Sequence, residues 1–187
     1  MRLARQSTRP VLGLALVVGL AACGGNIQVR TQAAPNTSFA GRRTFRVLAT
    51  PRRSDGVALA SNDPMLENSI TNRALRDEIT RDLEARGYQL AEGGPADFNV
   101  AFYASANQAL DLQTYNYGYT WRGFPREYTR VTPYERGTVI VDAVDPRTHE
   151  LMWRGSGVAP VSDNPNRFVT DAQKEIDAII RKFPSAV

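Results

Sequence analysis

The chain has 187 residues, 42% of them hydrophobic and 22% charged, with 23 Lys and Arg against 19 Asp and Glu. Three of the basic residues, Arg2, Arg5 and Arg9, precede Cys23; the remainder carries 20 basic against 19 acidic side chains, a balance that argues against a nucleic-acid-binding surface. A single Cys rules out an intramolecular disulfide, and together with a single His it excludes a His/Cys metal centre.

Val11–Leu20 is an almost unbroken apolar run behind the three arginines, and the small residues Ala21 and Ala22 separate it from Cys23. Positive, apolar and small segments in that order predict a secretory leader over 1–22. The run is shorter than the roughly 20 apolar residues that span a bilayer. Its ending, Leu20-Ala21-Ala22-Cys23, resembles a bacterial lipobox. That resemblance implies a diacylglyceryl group on the Cys23 thiol, loss of residues 1–22, and acylation of the new amino group, palmitate included. Gly24 in place of Asp is how such signals mark the outer membrane. Residues 23–40 then read as lipidated Cys, tether and first short strand, and 41–187 as a periplasmic domain of single-domain size.

Gly24-Gly25-Asn26 is a tether, and Ile27–Thr31 alternates apolar and polar residues as a strand does. Thr44–Thr50 predicts a second strand with Phe45, Val47 and Ala49 on one face. Asp63-Pro64 has the chemistry of a helix start, followed by the stripe Leu66, Ile70, Ala74, Leu75, Ile79 and Leu83 and a Gly87 stop. Ala96–Ser105 predicts a strand with Phe98, Val100 and Phe102 on one face. Gly137–Val144, apolar on both faces, predicts a central strand, and Glu150–Gly157 its hairpin partner after an Asp145–His149 turn. A last helix from Asn164-Pro165 buries Phe168, Ala172, Ile176, Ile179, Ile180 and Phe183, and Pro184 ends it. The order β β α β β β α predicts an α+β two-layer sandwich: a mainly antiparallel sheet with two helices packed on one face.

These landmarks fall in a familiar order: Thr44-Phe45; Arg86-Gly87-Tyr88; Ala96-Asp97-Phe98-Asn99-Val100; Gly137–Asp142 with Asp145-Pro146; Trp153-Arg154-Gly155; and a final Phe183-Pro184. Over most of the chain after Cys23 the pattern resembles the bacterial lipoprotein family with domain of unknown function 4136. The resemblance implies an envelope location and a compact α+β domain, and no known activity. Residues 106–133 depart from the pattern.

Asp142 and Arg154 fall on one face of the predicted hairpin, either as a charged pair in a pocket or as a cross-strand ion pair that holds register. Trp153 then faces the other way. His149 belongs to the turn. Within the variable insertion, Tyr115, Tyr117, Tyr119 and Trp121 recur every second residue and line one face if extended, with Arg122, Phe124 and Tyr128 following. Such a row either stacks on a sugar or a partner's side chains, or covers an open sheet face. No catalytic residues, cofactor or metal are expected. The expectation is an envelope lipoprotein that serves as a non-enzymatic binding or structural module on the outer membrane, facing the periplasm. Its alternative is a peptidoglycan- or glycan-binding lipoprotein using the row at 115–128. Expected partners are membrane lipid through acylated Cys23 and an envelope protein or peptidoglycan, not nucleic acid.

Overall fold

The structure is a computed structural model and describes residues 27–105, 115–120, 137–158 and 165–186. Cys23 lies outside these residues, as do Trp121, Arg122, Phe124 and Tyr128. The elements are β1 (Gln28–Ala33), β2 (Thr44–Val47), α1 (Ile70–Ala85), β3 (Gln89–Leu90), β4 (Phe98–Ala104), β5 (Thr138–Val144), β6 (Leu151–Val158) and α2 (Pro165–Ile180). One six-stranded sheet has the order β1-β6-β5-β4-β2-β3.

The sheet is mixed, which corrects the expectation of a mainly antiparallel one. β1–β6, β6–β5 and β5–β4 are antiparallel, while β2 runs parallel to both β3 and β4. The cause is α1. A helix between β2 and the next strands acts as a crossover and returns the chain in the same direction, whereas antiparallel neighbours need only a tight turn. β3 is the strand that the pattern did not predict: two exposed residues, Gln89 and Leu90, carry no alternation to read.

Helix α1 begins at Ile70, later than Asp63-Pro64. The Asp63 carboxylate accepts the Met65 N–H at 2.8 Å and makes a turn there. Ser69 is the true cap, its hydroxyl accepting the Asn72 N–H at 3.0 Å. The shift moves Ile70 into water and gives a core position to Met65. At the far end Tyr88 N–H donates to Leu83 O and Gly87 N–H to Glu84 O, a Schellman exit with Gly87 at φ 91°.

One hydrophobic cluster joins Leu75, Ile79 and Leu83 of α1 and Ile176, Ile179 and Ile180 of α2 to Phe98, Val100 and Phe102 of β4 and Val139 and Val141 of β5. Phe98 is its centre, with the rings of Tyr88, Phe39 and Phe183 at 5.1, 5.6 and 5.6 Å. Burying one such ring is worth roughly 2–3 kcal/mol. Trp153 meets Phe183 edge-on at 4.9 Å. Gly155 lets α2 approach: a Cβ there would lie 2.5 Å from Ile179 Cγ2. At the start of β2, Asp97 Oδ2 accepts the N–H groups of Arg43 and Thr44 at 2.8 Å each, which holds its carboxyl below the usual carboxylate range.

Candidate functional site

The opposite face of the sheet carries the polar chemistry. Strand alternation that sends Phe102, Val141 and Trp153 toward the helices sends Tyr103, Ile140, Asp142 and Arg154 the other way. Asp142 and Arg154 are direct register partners on β5 and β6 and are 0% and 4% exposed. Arg154 Nε donates to Asp142 Oδ1 at 2.6 Å, and Nη2 donates to Oδ2. This is a buried two-pronged ion pair, so each charge depends on the other for its solvation.

Residues 115–120 lie across this face as an extended strap. Tyr115 bridges Arg53 at one end, and Thr120 bridges Glu150 at the other. Thr120 N–H donates to His149 O at 2.7 Å, and Leu151 N–H returns a bond to Thr120 O at 2.9 Å. Gly118, at φ 76°, provides the bend; its N–H donates to Asn116 Oδ1 at 2.8 Å. The alternate tyrosines point inward. Tyr117 donates to Phe102 O at 2.7 Å, Tyr119 donates to Asp142 Oδ2, and the hydroxyls of Tyr103 and Tyr119 are 2.7 Å apart. Met65 closes the layer, its sulfur accepting the Ala104 N–H at 3.2 Å. Arg53 stands over the Tyr115 ring at 5.9 Å and pairs with Asp55 through Nε at 2.9 Å.

Burial dominates the acidity of these phenols. The Tyr115 hydroxyl is pushed up to about 12, and burial raises those of Tyr117 and Tyr119 as well. All three stay protonated at any physiological pH, and Tyr117 and Tyr119 act as donors. Both carboxylate oxygens of Asp142 are engaged, one by Arg154 alone and one by Arg154 and Tyr119. His149 is exposed in its turn at φ 56°, where its carbonyl serves the strap. Among the described residues no group of three or more His, Cys, Asp or Glu is placed to hold a metal.

Of the two geometries open to the aromatic row, Tyr115, Tyr117 and Tyr119 occupy the covering one. The structure brings them onto the same face as Asp142 and Arg154, two sets of residues that no local pattern connects. It also adds Tyr103 and Met65. Tyr103 carries a signal, since it sits out of phase with Phe98, Val100 and Phe102; Met65 carries none, because the cap chemistry of Asp63-Pro64 places it inside a helix.

The model of a domain of unknown function, DUF4136, matches residues 29–185. The chain belongs to the DUF4136 family. Among curated proteins none matches it significantly. Solved structures similar to this DUF4136 protein include a DUF4136 family protein from Bacteroides thetaiotaomicron, 16% identical, with a TM-score of 0.48 over 86% of this chain and 95% of that one. The PelC dodecamer from Paraburkholderia phytofirmans is 10% identical, with a TM-score of 0.43 over 83% and 95% of the two chains. A PDZ domain protein from Parabacteroides distasonis is 13% identical, with a TM-score of 0.47 over 86% of this chain and 37% of that one.

Proposed function

We propose that this DUF4136 protein is an envelope lipoprotein, acylated at Cys23 and held at the outer membrane with its domain in the periplasm, where it serves as a non-enzymatic binding or structural module. One observation carries the reading: Arg2, Arg5 and Arg9, the apolar run Val11–Leu20, and Leu20-Ala21-Ala22 all stand in register with the only cysteine of the chain. A single acyl chain binds a membrane marginally, at about 0.8 kcal/mol per buried methylene, and two or three on one residue make the attachment lasting. The anchor confines the domain to a thin layer and raises its effective concentration toward envelope partners.

The site supports a role other than catalysis. Asp142 is saturated by Arg154 and Tyr119, so its carboxylate holds the strap and the hairpin together. In the finer architecture we read the two helices as one layer on one sheet face, with the strap closing the other. The glycan-binding alternative rests on Trp121, Arg122, Phe124 and Tyr128, because the rings of Tyr115, Tyr117 and Tyr119 are turned toward the sheet. The anchor is tested by Cys23→Ser in a Gram-negative host. The variant should accumulate as a precursor that retains residues 1–22, measured by intact mass. A variant that is still cleaved and still sediments with membranes ends the reading.

A further inference from the structure

The chain enters the fold at one end of the sheet. Gln28, which opens β1, faces Val158 at the end of β6, and Val158 faces Thr138 at the start of β5. Ser105, just past β4, donates its N–H to Thr138 O at 3.0 Å. β2 is parallel to β4, so the chain leaving it runs toward this end. The chain after β2 is held here: Met65 accepts from Ala104, and Asn72 in the first turn of α1 donates to Thr50 Oγ1 at 3.0 Å. The entry point, the 48–69 loop and the start of α1 therefore share one end of the domain.

Two further observations concern that end. First, only four peptide units separate Cys23 from Ile27, a reach of about 14 Å when fully extended. Second, among the described residues the exposed large apolar side chains are Ile70 (75%), Val57 (56%) and Leu90 (42%). Ile70 and Val57 belong to the helix start and loop at the entry end, whereas Leu90 pairs with Phe45 near the start of β2, toward the other end. Arg52 and Arg73 are exposed on the same loop and helix start.

We infer that this end of the domain lies on the bilayer that holds the acyl chains, with Val57 and Ile70 seated at the boundary between headgroups and chains and Arg52 and Arg73 against lipid phosphates. The occupant is a lipid surface because the tether is too short to let this end stand clear of it. Apolar side chains flanked by arginines are the pattern that lies in the interface, buried by about 5–10 Å. The inference rests on the anchor reading and goes beyond it by fixing an orientation.

The test uses the acylated protein in phosphatidylethanolamine–phosphatidylglycerol vesicles that contain nitroxide-labelled lipid. Val57→Cys, Ile70→Cys and Thr148→Cys are each labelled with a thiol-reactive fluorophore. An acylated Cys23 has no free thiol, so only the introduced residue reacts. Thr148, in the turn at the opposite end, is the reference. Labels at 57 and 70 should be quenched several-fold more than the label at 148. Equal quenching at the three positions, or the strongest at 148, overturns the orientation and leaves the anchor standing. A protein without these substitutions that takes label at Cys23 and fails to float with vesicles overturns the anchor, and the orientation with it.

Discussion

The two packed clusters that meet the strands are held by different physics. On the helix side, packed rings and branched side chains surround Phe98, and Gly155 and Gly157 let α2 settle against β6. On the strap side, a six-residue segment is held by phenol hydroxyls, a bridge at each end and a buried ion pair. Dispersion and area are spread over many atoms, so the helix side absorbs small changes. The strap side depends on a few directional bonds, each of which leaves a buried polar partner if broken.

That contrast can be broken most sharply at Arg154. Arg154→Met leaves Asp142 as a buried carboxylate without its ion-pair partner, and equilibrium denaturation should show a loss of about 3–5 kcal/mol. Adding Asp142→Leu removes the stranded charge, and the double variant should recover much of that loss. A double variant no more stable than the single one would mean that the pair does more than solvate itself.

A smaller effect is expected at Tyr119. Tyr119→Phe keeps the ring and deletes the donor to Asp142, a hydrogen bond to a charged group worth about 1.5–3 kcal/mol. Denaturant titration measures the loss. A change near zero would assign the hold of the strap to its rings and end bridges.

The mildest test lies on the helix side, between α1 and α2. Asp82 is raised from 3.8 to about 6, by burial first and then by the charges of Glu78 and Asp177; Arg81 and Arg181 oppose the rise. Its folded-state value lies above its unfolded one, so it contributes stability that is fully present below about 4 and lost as pH rises through about 6. Asp82→Asn should flatten the melting temperature across that window and leave the value below about pH 4 nearly unchanged. A pH profile that keeps its slope would place the titration in another group.

The same contrast explains what could be read from residues alone. The helix side was legible because periodicity encodes it: Phe98, Val100 and Phe102 on β4 and Ile176, Ile179 and Ile180 on α2 repeat at the spacing of their elements. The family landmarks also resolve into folding chemistry. Arg86-Gly87-Tyr88 is the Schellman exit with a core ring, Asp97 caps the start of β2, and Trp153-Arg154-Gly155 is a core ring, an ion-pair partner and a clearance for α2. The strap was half legible. Its alternation set the inward face, yet nothing local says that Tyr119 finds Asp142, because that contact joins elements distant in sequence through a side-chain hydroxyl. The start of α1 is not legible locally, because Asp63-Pro64 offers the chemistry of a cap while Asp63 spends it on a turn. β3 was missed because two exposed residues carry no period.

The pairing of β1 with β6 has a temporal consequence. Gln28 meets Val158, so the first strand waits for nearly the whole chain before it finds its neighbour, and Ala186 bonds back to Arg86 only at the very end. Contacts that span so much sequence make ordering slow and late. β1 can take its place at the sheet edge only once β6 exists, so the first strand made is among the last to be ordered.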